Sequence, residues 1–221
     1  MPLFSIITIT KNNPGGLART GENIRRQSWR DFEWIVIDGV AEPDDGIYDA
    51  MNKGIARSSG DYLIFMNAGD VFADTSTLSR IAEHAGPDFM YGDAIEAGHI
   101  KPARRNIAHG MITHHQAMIY ARSNLRYDTK YRIAADYKYT VQAIAQAHTC
   151  LHLPFPVCVF EQGGISQRNT LQGRREQAAI RRELGLMAPF AGSLQMIAAG
   201  VKKICPPVYW ALRSRLKTSR A

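Results

Sequence analysis

Gly60-Asp61-Tyr62-Leu63-Ile64-Phe65-Met66-Asn67-Ala68-Gly69-Asp70 is the stretch that decides the fold class. Tyr62 to Met66 is a short unbroken apolar run, the pattern of a strand buried on both faces. It follows the helix stop Ser58-Ser59-Gly60 and ends in turn chemistry at Asn67 to Asp70. Upstream, Ile47 to Ser58 reads as a helix, with Ile47, Ala50, Met51, Gly54 and Ile55 on one face. Further upstream lie two more apolar runs, Phe32 to Ile37, closed by Asp38-Gly39, and Phe4 to Ile9. Between them, Lys11-Asn12-Asn13-Pro14-Gly15-Gly16 is a turn, and Pro14 opens a helix that continues to about Gln27.

Strand, helix, strand, helix, strand predicts an α/β fold with parallel pairing and right-handed crossovers. Ligands of such sheets sit at the carboxyl ends of the strands. All three runs end there in polar groups: Thr10 and Asn12, Asp38, and Asn67 with Asp70. That convergence marks a candidate site.

The second half is mixed. Asp88 to Tyr91 and Ile100 to Arg104 flank Glu96-Ala97-Gly98, a hairpin signal. Gln116 to Tyr120 reads as a strand and Ala134 to Ala147 as a helix. Thr149 to Phe160, broken by Pro154 and Pro156, reads as one or two edge strands. Leu171 to Leu184 reads as a helix with Arg174, Arg175, Arg181 and Arg182 on one face.

A chain of 221 residues with 45% apolar content suits one domain, or one domain with an appendage. Three cysteines without a CxxC pattern point to reduced thiols and a cytoplasmic setting. No signal-peptide pattern opens the chain, and no apolar run reaches the roughly 18 residues of a spanning helix. The net charge is +7, but from Arg168 onward there are 11 Lys/Arg against 2 Asp/Glu, and before it 16 against 18. The body is therefore close to neutral, unlike a nucleic-acid-binding domain. Residues 186–221 form a basic tail. Its apolar part, interrupted by Pro189, Ser193 and Gln195, leads to Lys202-Lys203, Tyr209-Trp210 and four further cations. Aromatic residues beside cations suit a membrane interface; the alternative is a packed or solvated tail.

Phe4 to Asn13 and Phe32 to Gly39 resemble the first two strands of family 2 glycosyltransferases. Gly46-Ile47-Tyr48-Asp49-Ala50-Met51-Asn52-Lys53-Gly54-Ile55, followed by Gly60 to Asp70, is closer still to the branch that builds colanic acid, capsule and other exopolysaccharides. His115-Gln116-Ala117, Tyr131 to Asp136 and Gly163-Gly164-Ile165-Ser166 complete the set in order, over roughly residues 3–185. The resemblance implies a GT-A-like domain over residues 1–185. It implies metal-dependent, inverting transfer from a nucleotide sugar, UDP-linked for preference. The acceptor would be a saccharide, lipid-linked if the tail lies on an inner membrane. The chain departs from the pattern after Gly39, where a strand and helix are missing, at Lys11, and at Asn67 in place of a first motif carboxylate.

By the same resemblance, Asp70 matches the ligand of a Mg²⁺ or Mn²⁺ ion and Asp136 the catalytic base. Asp136 has an alternative as a helix N-cap. Thr10, Asn12 and Asp38 would hold the nucleoside, or simply form strand-end turns. Asn52 would point at the donor or lie on a helix surface. Asn67 belongs to the metal-site motif, and His115 with Gln116 would sit near the diphosphate or acceptor. Gly163-Gly164 would hinge a closing segment, or form a plain turn. Two other functions remain in view: a catalytically impaired scaffold of a polysaccharide assembly complex, kept alive by the missing unit, and a basic nucleic-acid binder, which the neutral body disfavours.

Overall fold

The computed structural model describes residues 1–186 and 191–218; Pro189 and Arg220 of the basic tail lie outside the described residues. The elements run β1 (Phe4–Thr10), α1 (Pro14–Arg25), β2 (Phe32–Asp38), α2 (Ile47–Arg57), β3 (Tyr62–Phe65), β4 (Val71–Phe72), α3 (Thr77–Ala82), β5 (Phe89–Glu96), β6 (His99–Lys101), β7 (Met118–Ala121), α4 (Ala135–Gln146), β8 (Cys150–Phe160), α5 (Ile165–Arg168), α6 (Thr170–Glu183), α7 (Ala191–Ile204) and α8 (Pro206–Thr218). They build one mixed sheet in the order β2-β1-β3-β7-β5-β8-β4, with β6 paired to β5. β1 runs parallel to β2 on one side and to β3 on the other. The parallel pairing expected of the first third is thus present.

Side-chain alternation along the strands makes two cores. Phe4 and Ile6 of β1, and Tyr62 and Ile64 of β3, face Ile24, Leu78 and Ile81 of α1 and α3. Ile7, Leu63 and Phe65 point the other way, onto Tyr48, Met51 and Ile55 of α2 and Tyr139 of α4. Period-two alternation with both faces apolar is what a sheet covered by helices on both sides requires. Leu63, Ile64 and Phe65 are 0% exposed, and each such burial stabilises by about 1.5–3 kcal/mol.

Several expectations are corrected in detail. His115–Ala117 is a 3₁₀ turn, so the strand starts at Met118 and not at Gln116. Cys150–Phe160 is a single strand lying between β5 and the two-residue β4. Register shifts around Asp93 absorb Pro154 and Pro156, so the missing amide donors fall at irregularities in the ladder. The hairpin turns on two residues, Ala97 (φ 54°) and Gly98 (φ 75°), both left-handed as this turn type demands. The α6 arginines split between faces: Arg181 is buried and Arg174 lines a cavity, whereas Arg175 and Arg182 are exposed.

β2 ends the sheet, and residues 39–46 pass straight from it to α2. The strand and helix missing from the sequence pattern are missing from this edge. At the other end of the chain, α7 and α8 pack on the domain. Gln195 donates to the His109 carbonyl at 2.7 Å, Lys202 pairs with Glu96, and Trp210 stacks on His99 at 4.8 Å. Among the described residues no helix is long and apolar enough to cross a membrane.

Candidate active site

A cavity of about 1020 Å³ opens at the carboxyl ends of β1 and β3, where strand-end polar groups gather. Its walls include Thr10, Asn13, Asp44, Tyr48, Asn67, Asp70, His115, Gln116 and Asp136, and its rim includes Gly163, Arg174 and Lys202.

Asp70 is 4% exposed. One carboxylate oxygen accepts the Glu161 N–H at 2.8 Å and the other accepts the Gln116 amide. Burial pushes its carboxyl up to about 6, partly offset by these hydrogen bonds and by His115. The turn that places it is tight: Gly69 has φ 107°, a conformation that favours glycine, and the Glu161 carboxylate lies directly over it.

Asp136 sits in the first turn of α4, but Ala134 is the N-cap, so the capping reading is corrected. Its Oδ1 accepts the Tyr137 N–H at 2.8 Å and the Tyr48 hydroxyl at 3.3 Å. Its Oδ2 faces the cavity 3.6 Å from His115 Nδ1. His115 Nε2 lies 3.2 Å from Asn67 Nδ2. With the Asn67 amide donating, the imidazole proton stands on Nδ1 and faces Asp136. A chain of side chains, Asn67 to His115 to Asp136, therefore connects the Asp70 turn to the start of α4. Tyr48 joins this chain from an aromatic cluster: it stacks on Tyr127 at 5.3 Å, and Tyr127 stacks on Tyr139 at 4.4 Å.

The other sequence candidates divide. Thr10 lines the cavity. Asn12 (φ 54°) is exposed and does not. Asp38 accepts the Val40 N–H at 2.9 Å in a turn and is also off the wall. Asp44 is there instead, bonded to the Gly46 N–H at 3.0 Å and 3.8 Å from Lys11 Nζ. Asn52 clamps Tyr127, donating to its carbonyl at 3.0 Å and accepting from its N–H at 2.8 Å, so its amide is committed to holding a loop. Sequence reading passed over Asn13, whose Oδ1 caps α1 at Gly16 and whose Nδ2 reaches the Ala68 carbonyl. An Asn-Pro pair opening a helix is the signal that marks it. His114, beside His115 in sequence, stacks on Phe160 at 4.0 Å and lies 3.2 Å from Glu96, and burial lowers its pKa to about 4.

Among the described residues no group of three or more His, Cys, Asp or Glu side chains could hold a metal alone. A site shared with phosphate needs less, since one or two carboxylates suffice. Beside Asp70, Asn67 Oδ1 and Gln116 Oε1 are buried without a hydrogen-bond partner. One carboxylate and two unsatisfied neutral oxygens fit a hard divalent cation.

No family model matches the chain. A PGL/p-HBAD biosynthesis glycosyltransferase of Mycobacterium tuberculosis (strain ATCC 25618 / H37Rv) is 30% identical over 186 residues, 65% of this chain and 70% of that one. S. aureus TarS superposes with TM-score 0.59 at 16% identity over 80% of this chain, which spans only 39% of the TarS chain. The mannosyltransferase PcManGT of Pyrobaculum calidifontis, in complex with GDP-Man and Mn²⁺, superposes with TM-score 0.59 at 13% identity over 98% of this chain and 85% of that one. The two structures speak to the fold and the mycobacterial relative to the family: the chain belongs to the glycosyltransferases and has a GT-A-like α/β fold.

Proposed function

We propose that the protein is a metal-dependent, inverting family 2 hexosyltransferase. It would move a sugar from a nucleotide donor, UDP-linked for preference, to a lipid-linked saccharide in bacterial surface polysaccharide synthesis. The observation that carries this reading is that Asp70 and Asp136 line one cavity with His115 between them. TarS binds UDP-GlcNAc and PcManGT binds GDP-Man with Mn²⁺, which supports a nucleotide-sugar donor and a divalent ion.

Asp70, Asn67 Oδ1 and Gln116 Oε1 would hold Mg²⁺ or Mn²⁺. Such an ion neutralises the diphosphate as it leaves. Asp136 Oδ2 is the base: the acceptor hydroxyl oxygen attacks the anomeric carbon and its proton passes to Asp136. The bond from that carbon to the diphosphate breaks, and its electron pair leaves on the phosphate oxygen. A single carboxylate acting as base on one displacement inverts the anomeric centre. Tyr48 and His115 orient the carboxylate. Burial keeps the Tyr48 hydroxyl protonated, well above its usual range, so it donates throughout.

Domain 1–185 would do the chemistry and the tail would place it at an inner-membrane surface. Leu194, Ile197 and Ile204 of α7 and Val208 and Leu212 of α8 are exposed, while Gln195, Ala198, Ala199 and Lys202 of α7 line the cavity and Trp210 of α8 stacks on His99. The charge excess of 11 Lys/Arg against 2 Asp/Glu from Arg168 onward favours an anionic leaflet.

Titration calorimetry with UDP, with and without Mn²⁺, tests the reading. Metal-dependent binding is expected, and Asp136→Asn should keep it while lowering transfer by about 10²–10⁴-fold. Equal loss of binding and transfer would remove the base assignment. A second reading, a scaffold without activity, is favoured by the short residue 39–46 connection and the turn that occupies Asp38. Failure of every nucleoside diphosphate to bind would select it.

A further inference from the structure

We propose that β2 is a self-pairing edge: two copies of the chain join antiparallel along it, about a two-fold axis at Trp34, and the sheet continues from one molecule into the other. This assembly is independent of the glycosyltransferase reading.

Hydrogen bonds at the two ends of the β1–β2 pair fix which backbone groups of β2 are free. The Phe4 N–H donates to the Asp31 carbonyl at 3.4 Å, and the Gly39 N–H donates to the Thr10 carbonyl at 2.9 Å. The register between them is unbroken from Phe4 opposite Phe32 to Thr10 opposite Asp38. The odd-numbered residues of β2 therefore turn their backbone toward β1. By the period of two, Trp34 and Val36 turn N–H and C=O outward, together with the Phe32 carbonyl and the Asp38 N–H. β2 is the last strand of the sheet, so these groups meet no ladder partner among the described residues. Edges that stay single are usually guarded by Lys, Pro or a bulge. Residues 32–38 contain no Pro, Lys or Arg, and their register with β1 has no bulge. Glu33 is drawn inward onto the Ser5 and Ser59 hydroxyls and the Gly60 N–H.

Charge selects a second copy as the occupant and sets the register. With Trp34 opposite Trp34 of the second copy, Phe32 faces Val36, and Arg30 faces Asp38 at both ends. Within one molecule both of these side chains bond only backbone: Arg30 donates to the Arg25 carbonyl at 2.6 Å, and Asp38 accepts the Val40 N–H at 2.9 Å. Neither joins an ion pair among the described residues. The neighbouring register, centred on Ile35, would set Phe32 against Asp38 and Arg30 against the exposed Val40. The one centred on Glu33 would set two like charges opposite each other. In the Trp34 register the two Trp34 residues exchange N–H···O=C bonds, and each Val36 N–H reaches the Phe32 carbonyl of the other copy. Aromatic and β-branched side chains meet on the shared face. Trp34 is already braced there, packed on Gly21 of α1 and donating to the Thr8 hydroxyl at 2.9 Å. Each molecule offers the same edge, so the contact closes at two copies. It also braces Asp38, the root of the residue 39–46 connection that brings Asp44 to the cavity wall.

Sedimentation velocity on the full chain tests the pairing. The wild type should form a dimer across a micromolar dilution series. Val36→Pro removes an N–H that β1 does not use, so the variant should keep the wild-type circular dichroism. Its dimer should weaken by about tenfold or more, because one bond is lost from each copy. Arg30→Glu should weaken the dimer as well, and adding Asp38→Arg should restore it. A wild type that stays monomeric overturns the proposal, as does a dimer that tolerates both Val36→Pro and Arg30→Glu. A dimer lost instead on serine substitution of Leu194, Ile197 and Ile204 would belong to the C-terminal helices, which overturns it too. Should Val36→Pro fail to fold, the charge swap decides: a double variant no more dimeric than Arg30→Glu alone defeats the pairing.

Discussion

Glu96→Gln should loosen the C-terminal helices from the sheet. Glu96 is 2% exposed at the end of β5. Its carboxylate takes Lys101 Nζ at 3.0 Å, His114 Nε2 at 3.2 Å and Lys202 of α7. Burial alone would raise its pKa; the His114 hydrogen bond, the Lys101 charge and the Lys202 contact outweigh it and hold the group well below the usual carboxylate range. Glutamine keeps the shape and removes the charge, leaving two ammonium groups beside a neutral amide. Breaking a buried ion pair from one side costs about 3–5 kcal/mol. The Lys101 and Lys202 side chains are 20% and 33% exposed and regain some water, so the expected loss is about 2–3 kcal/mol. A depressed folded pKa means the contribution is complete above the unfolded value of 4.5 and is lost as pH falls below it toward the folded value. Urea unfolding should therefore give the full difference between wild type and variant at neutral pH and a shrinking one at about pH 3.5. Hydrogen exchange should rise in α7. A neutral-pH difference under about 0.5 kcal/mol, or one that grows in acid, would refute the reasoning.

Other perturbations separate placement from chemistry. Gly69→Ala puts a side chain at φ 107° and pushes the Glu161 carboxylate off the turn; the backbone strain should cost about 1–3 kcal/mol in thermal melts and weaken UDP binding, and a neutral result would mean that the Asp70 turn does not need this conformation. Asn52→Ala strips the Tyr127 N–H and carbonyl of their partners. It should lower stability by about 1–3 kcal/mol with UDP affinity unchanged, while lost affinity at full stability would return Asn52 to the donor site. Serine at Leu194, Ile197 and Ile204 together should abolish co-sedimentation with phosphatidylglycerol vesicles and spare UDP binding; continued co-sedimentation would sink the membrane role of the tail.

The strand ends were legible because buried parallel strands are continuous apolar runs whose polar terminators stand out. Thr10, Asn67 and Asp70 reach the cavity for that reason. Asp38 was chosen by the same rule and misses the wall, because the rule locates a strand end and not the path of the loop after it. Residues 39–46 hold several acidic side chains, and the Gly46 N–H and Lys11 select Asp44. Asn52 shows the converse limit. Its helix was correctly located, but the Tyr127 backbone that consumes its amide is 75 residues away in sequence. Arg174 was visible only as one of four arginines on a helix; helical period puts it with Arg181 and apart from Arg175 and Arg182, and only packing reveals that its donors are idle.

The same long-range packing would hold Asp136 in place for the proposed role of base. Phe65 of β3 meets Tyr127 edge-on at 5.3 Å and Tyr139 at 6.1 Å, and Tyr127 carries Tyr48 on its face. Tyr48 therefore inherits the rigidity of the sheet and passes it through its hydroxyl to Asp136 Oδ1 and the Ile133 carbonyl. On its other side the carboxylate faces His115, which Asn67 holds at the end of β3. Both contacts thus originate on one strand, Tyr62–Phe65 and the turn after it, which also bears Asp70. On the proposed assignment, the donor-side Asp70 and the acceptor-side Asp136 are both tied to this element, and the sheet would set their separation. Alignment for a single displacement needs that property, because errors of about an ångström are enough to slow transfer heavily.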